Sequence, residues 1–144
     1  MDAVVRKAGI TDLARIRMLY ESFTVAGGSL EDWVRGFQRM VGCEGAHLLV
    51  ADAGSRVVGT CVVYTVPSLA SGCRPMSFVE HLVVDAGWRR KSVGKLLVDE
   101  CIRIARKAGS YKLFVPSSFP REDAHAFYES VGFARYGFVF KIDL

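Results

Sequence analysis

Val79-Glu80-His81-Leu82-Val83-Val84-Asp85 leads through Ala86-Gly87-Trp88-Arg89-Arg90-Lys91-Ser92 into Val93-Gly94-Lys95-Leu96-Leu97. Up to Val84 the first piece is apolar except for Glu80 and His81, which predicts a strand over Phe78–Val84. From Val93 the apolar residues recur as Val93, Leu96, Leu97, Cys101, Ile104, Ala105 and Ala108, which predicts a helix stopped by Gly109. A loop that turns straight into a helix start leaves several backbone N–H groups without partners. Those donors and the positive helix end attract anions. Arg89, Arg90, Lys91 and Lys95 add positive charge, and Gly94 removes a side chain that would block close approach. Two readings fit these residues: a diphosphate site, or a solvated basic turn that caps a helix.

The usual phosphate motifs are absent from the loop. A Walker A loop needs a hydroxyl after its lysine, and Leu96 follows Lys95. No G-x-G-x-x-G occurs, so a Rossmann dinucleotide site has no support.

Outward from this stretch the chain alternates strand and helix signals. Val4–Lys7 is a short strand. Thr11 can cap a helix carrying Leu13, Ile16, Leu19, Tyr20 and Phe23, and Ser29 a second with Leu30, Trp33, Val34, Phe37, Met40 and Val41, stopped at Gly42. Residues 46–51 and 56–66 read as a hairpin joined by Asp52-Ala53-Gly54-Ser55, and Pro67–Pro75 as a loop. Phe78–Val84 and Lys112–Val115 are further strands, and Arg121–Val131 is a helix ended by Gly132. Two short strands are expected around Gly137. The order predicts a mixed α/β fold with one sheet flanked by helices.

The chain of 144 residues, 51% hydrophobic and 24% charged, reads as one folded domain over 1–144. No apolar run approaches the roughly 20 residues of a membrane span, and no secretory leader is visible. The net charge of +4 is mild. Cys43, Cys61, Cys73 and Cys101 form no C-x-x-C pair, and the three histidines are not at zinc-finger spacing from them. Reduced thiols in a cytoplasmic setting, with no metal, are the expectation.

Arg89-Arg90-Lys91-Ser92-Val93-Gly94 resembles the [QR]-x-x-G-x-[GA] signature of the GNAT superfamily of acyl-CoA-dependent N-acetyltransferases, and it follows a strand ending Leu-Val-Val-Asp. Ala124-His125-Ala126-Phe127-Tyr128-Glu129-Ser130-Val131-Gly132-Phe133 resembles the superfamily's A-x-x-F-Y-x-x-x-G-F segment. Two motifs in the right order, with a helix and a strand between them, favour the diphosphate reading of the basic loop. Two positions depart from the pattern. Ser92 stands where a glycine is usual, at a cost of about 1 kcal/mol if positive φ is needed. Arg121 stands where an asparagine is common, and either meets a cofactor phosphate or is a plain surface arginine.

The resemblance implies a mostly antiparallel sheet with a splayed parallel pair, Phe78–Val84 and Lys112–Val115, and about four helices. Acetyl-CoA would lie in the splay, its pantetheine arm bonded to the backbone of Leu82, Val83 and Val84. Its pyrophosphate would sit on the amides of Arg89, Arg90, Lys91, Ser92, Val93, Gly94 and Lys95. The resemblance gives Tyr128 the role of general acid toward the departing thiolate, against a packing role beside Phe127. Glu80 is the candidate base, acting through water, against a salt-bridged glutamate at the sheet surface. Strand alternation puts His81 on the opposite face from Glu80, as a structural or rim histidine; His125 reads as an exposed helix residue. A covalent route through Cys73 or Cys101 is set aside, and direct attack of a primary amine in a ternary complex is expected.

The acceptor, a small-molecule or peptide amine, should be shaped by the first two helices, Pro67–Pro75 and the closing strands. Tyr20, Phe23, Trp33 and Tyr64 are candidates for its wall, although helical spacing favours core packing for Phe23 and Trp33. The rival readings are a non-catalytic acyl-CoA-binding domain and a basic nucleic-acid-binding module. Neither a membrane nor a nucleic acid is an expected partner, and a homodimer stays open.

Overall fold

Five strands lie in sequence order in one sheet: β1 (Val4–Lys7), β2 (Ala46–Asp52), β3 (Val57–Val66), β4 (Met76–Val84) and β5 (Leu113–Phe114). The computed structural model describes residues 2–144. The pairs from β1 to β4 are antiparallel, whereas β4 and β5 run parallel. The helices are α1 (Leu13–Glu21), α2 (Leu30–Val41), the one-turn α3 (Ala70–Cys73), α4 (Val93–Lys107) and α5 (Glu122–Ser130). The expected mixed fold, with its parallel pair in an otherwise antiparallel sheet, is observed.

The centre of the sheet is buried on both faces. Every residue from Val57 to Val63 in β3 is buried, the pattern of a strand covered on two sides. On one face Leu49, Cys61, Val63 and Val79 pack with Val93, Leu97, Cys101 and Ile104 of α4. On the other, Val50, Val57 and Val83 pack with Ile16 and Leu19 of α1. Gly59 makes the first contact possible, because a Cβ there would come within 3.1 Å of Val93 and 3.2 Å of Leu97. The start of α4 therefore sits tight against β3.

Val79 and Val83 occupy positions of the same parity in β4 yet pack into opposite clusters. A β-bulge is the cause. Thr60 faces Val83 and Val62 faces Glu80, so Cys61 alone opposes His81 and Leu82. One extra residue flips every later side chain to the other face.

Several sequence expectations need correction. Thr11 is not a helix cap: it lies inside a 3-10 turn, Ile10–Asp12, where the Gly9 N–H donates to Asp12 Oδ2 at 2.7 Å. Asp12 is held there by Arg6 at 2.7 Å and 3.0 Å. Ser29 does cap α2, accepting from the Asp32 N–H at 3.1 Å while Asp32 accepts from the Ser29 N–H. The expected strand 112–115 shrinks to Leu113–Phe114, because Pro116 cannot donate to a ladder. The segment Pro67–Pro75 contains α3, with Ser71 and Gly72 at left-handed φ. The two strands expected around Gly137 do not form: residues 133–144 join no ladder of the sheet.

Candidate active site

The pairing of β4 with β5 covers only Ser77–Leu113 and Phe78–Phe114. Beyond that point β4 runs on to Val84 while the other chain turns at Pro116, and the two diverge into an opening. Leu82 and Val84 turn their side chains toward the α4-side core, so it is their backbone edge that borders the opening. The expected splay, from Phe78–Val84 on one side, is present.

The basic loop is built for exposed donors. Asp85 anchors its start, accepting from the Gly87 N–H at 3.0 Å and pairing with Arg15 and with Arg56, the latter at 3.2 Å. Burial pushes the Asp85 carboxyl up, but the Arg15 and Gly87 hydrogen bonds and the Arg56 charge outweigh it and leave it below its ordinary value. Arg90 (φ 58°) and Ser92 (φ 61°) then adopt left-handed backbone. Alternation of this kind turns successive N–H groups toward one concavity. The first intrahelical bond of α4 runs from the Leu96 N–H to the Ser92 carbonyl at 3.0 Å. The N–H groups of Val93, Gly94 and Lys95 have no acceptor among the described residues.

The cations of the loop differ in what they are free to do. Lys95 is paired with Asp99 at 2.6 Å, and Lys91 lies over the Trp88 ring at 5.1 Å. Arg89 leans toward the Val84 carbonyl at a long 3.5 Å. Arg90 makes no ion pair among the described residues. Val93 contributes only its backbone, because its side chain is in the core. Ser117, just past β5, carries a buried hydroxyl without a hydrogen-bond partner, and buried hydroxyls are rarely left so. Unpaired amides, a free guanidinium and an orphan hydroxyl around one opening fit a bound diphosphate with a polar arm.

Gly94 has a second reason to lack a side chain. A Cβ there would stand 3.0 Å from Phe127 Cζ, so this glycine also lets α5 dock on α4. Gly94→Leu is expected to cost about 1–3 kcal/mol by overpacking and to abolish any stabilisation by CoA. Thermal melts with and without CoA check both effects. Ser92→Gly should have the opposite sign. Relief of the left-handed serine is worth about 1 kcal/mol, or roughly 2–4 °C in melting temperature, with the CoA response kept.

The Phe127 docking places Tyr128. The Tyr128 ring is buried, 5.4 Å from Phe127 and 5.9 Å from Phe133. Its hydroxyl has no hydrogen-bond partner among the described residues. Burial pushes its phenol up, with Arg121 pulling it down and Cys61 and Glu80 adding to the rise. Tyr128 is thus brought within electrostatic reach of Glu80 and of Arg121. Arg121, read from the sequence as a cofactor-phosphate contact or a plain surface arginine, stands exposed at the start of α5, where its charge lowers the Tyr128 phenol.

Glu80 lies half-buried opposite Val62, on the face of β4 that looks toward α1. It makes no ion pair or hydrogen bond among the described residues, so the salt-bridged alternative is not observed. Its charge raises Tyr64, whose phenol is pushed up first by burial. Aromatic rings flank it: Tyr64 lies tilted against Phe78 at 5.2 Å, and Phe78 stacks on Phe114 at 5.5 Å. Strand alternation had put His81 on the other face, and the bulge overturns that. His81 takes φ 51° and swings its ring to 5.3 Å from Tyr20 and 6.4 Å from Phe23 of the α1 side. His125 is half-buried rather than exposed, tying α5 to the Ser118 carbonyl at 2.9 Å. Phe23 is exposed, whereas Trp33 is half-buried and packs against the α1-side core as its helical spacing suggested. Trp33 and Tyr20 line an apolar cleft of about 330 Å³ between α1 and α2, and α2 has no fully buried residue.

A profile of the acetyltransferase (GNAT) family matches residues 13–133, most of the chain. The chain belongs to the GNAT acetyltransferase family. Among curated relatives of this GNAT protein, glucosamine 6-phosphate N-acetyltransferase of Trypanosoma brucei brucei is 33% identical over 89 residues, 62% of this chain. The match spans 58% of that relative's length, less than two thirds of it. The crystal structure of a Trypanosoma brucei acetyltransferase superposes with a TM-score of 0.87 at 27% identity, covering 99% of this chain and 100% of that one. AAC(6')-Iy, solved in complex with a CoA bisubstrate analogue, shares the fold at TM-score 0.85 and 17% identity, over 100% of this chain and 99% of that one. The GNAT fold accounts for the opening between β4 and β5. No helix among the described residues is long and apolar enough to cross a membrane.

Proposed function

We propose that this protein transfers the acetyl group of acetyl-CoA to a primary amine by direct attack in a ternary complex. The observation that carries the reading is the meeting, at one opening, of an unpaired carboxylate (Glu80), an unbonded phenol (Tyr128) and a helix start with free amides (Val93–Lys95). Acetyl-CoA supplies the activated acyl thioester. The amides and cations of Arg89–Lys95 hold its diphosphate, and the free backbone edge of Leu82–Val84 holds its pantetheine arm.

The acceptor must arrive as an ammonium and react as an amine, since an alkylammonium has a pKa near 10.4 and no lone pair to attack with. Glu80 among aromatic rings attracts the cation and takes its proton through water. Tyr20, Tyr64 and Tyr128 are all pushed above their ordinary values, so none of the three is a base near neutral pH. Tyr128 instead keeps its proton and gives it to the departing thiolate, which leaves more readily as a thiol. A covalent route through cysteine finds no support. Cys61 and Cys101 are fully buried against each other at 3.5 Å, with the Cys61 thiol pushed well up, and Cys73 sits in α3.

The relative named for glucosamine 6-phosphate places phosphorylated amino sugars first in an acceptor panel. Thiol release from acetyl-CoA, measured over that panel, is the test of catalysis. CoA at about 100 times its dissociation constant should stabilise the protein by roughly 2.7 kcal/mol. An unchanged melting temperature at high CoA would overturn the cofactor assignment. Stabilisation without turnover on any amine would favour a non-catalytic acyl-CoA-binding domain.

A further inference from the structure

One stripe of α2 reads Trp33, Gly36, Phe37 and Met40, the spacing of a single helix face. Glycine is the odd member of that stripe. It weakens a helix interior, and neither backbone conformation nor crowding requires it at this place. Gly36 has no positive φ, and a Cβ on it would meet nothing within 4 Å among the described residues. The same is true of Gly27. Both glycines line the cleft of about 330 Å³ between α1 and α2, so what they leave is room. That volume is within the range of small-molecule sites. Leu13, Ile16 and Leu48 complete an apolar lining. Its acidic side chain, Asp32, already accepts from the Ser29 N–H and from Arg35, both at 2.8 Å. The Trp33 indole donates to the Gly27 carbonyl at 3.0 Å. Arg17 lies over the Trp33 ring at 5.7 Å but is paired with Glu21.

Tyr20 belongs to this cleft and to the catalytic opening at once. It lines the cleft, and its ring stands 5.3 Å from that of His81, the neighbour of Glu80 in β4. The cleft thus continues the Glu80 side of the sheet behind a single ring. We propose that the α1–α2 cleft receives the apolar body of the acceptor, a primary amine on an aryl or alkyl group whose ammonium sits at Glu80, an assignment that rests on the acetyl-transfer reading and adds its substrate class. The charges fit this acceptor. Glu80, unpaired among the described residues, attracts the ammonium, and the charged side chains at the cleft are already bonded. A phosphorylated sugar fits poorly. Its phosphate would face Asp32 and two arginines that are paired, and its hydroxyls would lose water against Leu13, Phe37 and Met40.

The test follows ethylamine, butylamine, hexylamine and 2-phenylethylamine, with glucosamine 6-phosphate for comparison. Thiol release from acetyl-CoA gives kcat/KM, and calorimetric titration with CoA present gives affinity. The expected result is a rise in both along the alkyl series, by about fourfold for each methylene taken into the cleft, with 2-phenylethylamine preferred over glucosamine 6-phosphate. Gly36→Leu fills the cleft from its helix wall and should bring the preference for 2-phenylethylamine over ethylamine down toward one. A flat series overturns the proposal and leaves the cleft to a protein partner. A preference for glucosamine 6-phosphate overturns it too, as does a Gly36→Leu protein with the wild-type preference. Graded binding without thiol release on any amine supports the cleft and overturns acetyl transfer. Release that ignores the size of the amine overturns the cleft alone. The wild-type series decides the matter if Gly36→Leu does not fold.

Discussion

Tyr128→Phe is expected to lower turnover by on the order of 10²–10⁴-fold while leaving acetyl-CoA affinity and melting temperature near their wild-type values. The separation follows from where the hydroxyl sits. The ring is buried against Phe127 and Phe133, and phenylalanine keeps that packing. The hydroxyl bonds to nothing among the described residues, so its removal forfeits no hydrogen bond there, the loss that would otherwise cost about 1 kcal/mol. The contacts proposed for the diphosphate come from Arg89–Lys95 and are untouched. Because burial raises the Tyr128 phenol, a donor at this position would hold its proton through neutral pH, and no fall in turnover just above neutrality is expected from this group. Measuring kcat, acetyl-CoA affinity and melting temperature on the one variant separates the cases. Wild-type turnover would remove Tyr128 from the mechanism, whereas failure to fold would assign it to packing alone.

Glu80→Gln is expected to reduce the rate by about 10²-fold near neutral pH and to recover progressively as pH climbs toward the pKa of the acceptor. The base is needed only while the amine is protonated. Above roughly pH 10 a typical alkylamine deprotonates without help, so the two rate profiles should converge there. Glutamine keeps the size of the side chain and, with no partner to lose among the described residues, should keep stability. The bulge turns His81 to the same side of β4, which makes His81→Gln the informative companion. A Glu80→Gln enzyme with an unchanged pH profile, beside a His81→Gln enzyme with a depressed one, would transfer the role to His81. Unchanged profiles in both would leave deprotonation to bulk water.

The sequence by itself settled the parts of this protein that are local. A strand, basic loop and helix between Val79 and Leu97 could be read because apolar spacing, helix-start chemistry and charge are properties of neighbouring residues. The same holds for the Ser29 cap of α2 and for the F-Y pair of α5. The left-handed strain at Ser92 was also foreseeable, since a serine standing where glycine is usual marks a special φ. What tertiary structure decided depends on partners far along the chain. Which face His81 occupies is set by one extra residue opposite Cys61, a matter of pairing between β3 and β4 that strand alternation cannot express. Gly94 reads as room for a ligand, but only the docking of Phe127 shows that it is also room for α5. The closing residues have the period of a strand, and that period is a statement about side chains. Whether a strand forms depends on an edge to bond with, and the sheet ends at β5 without taking the closing residues into its ladder.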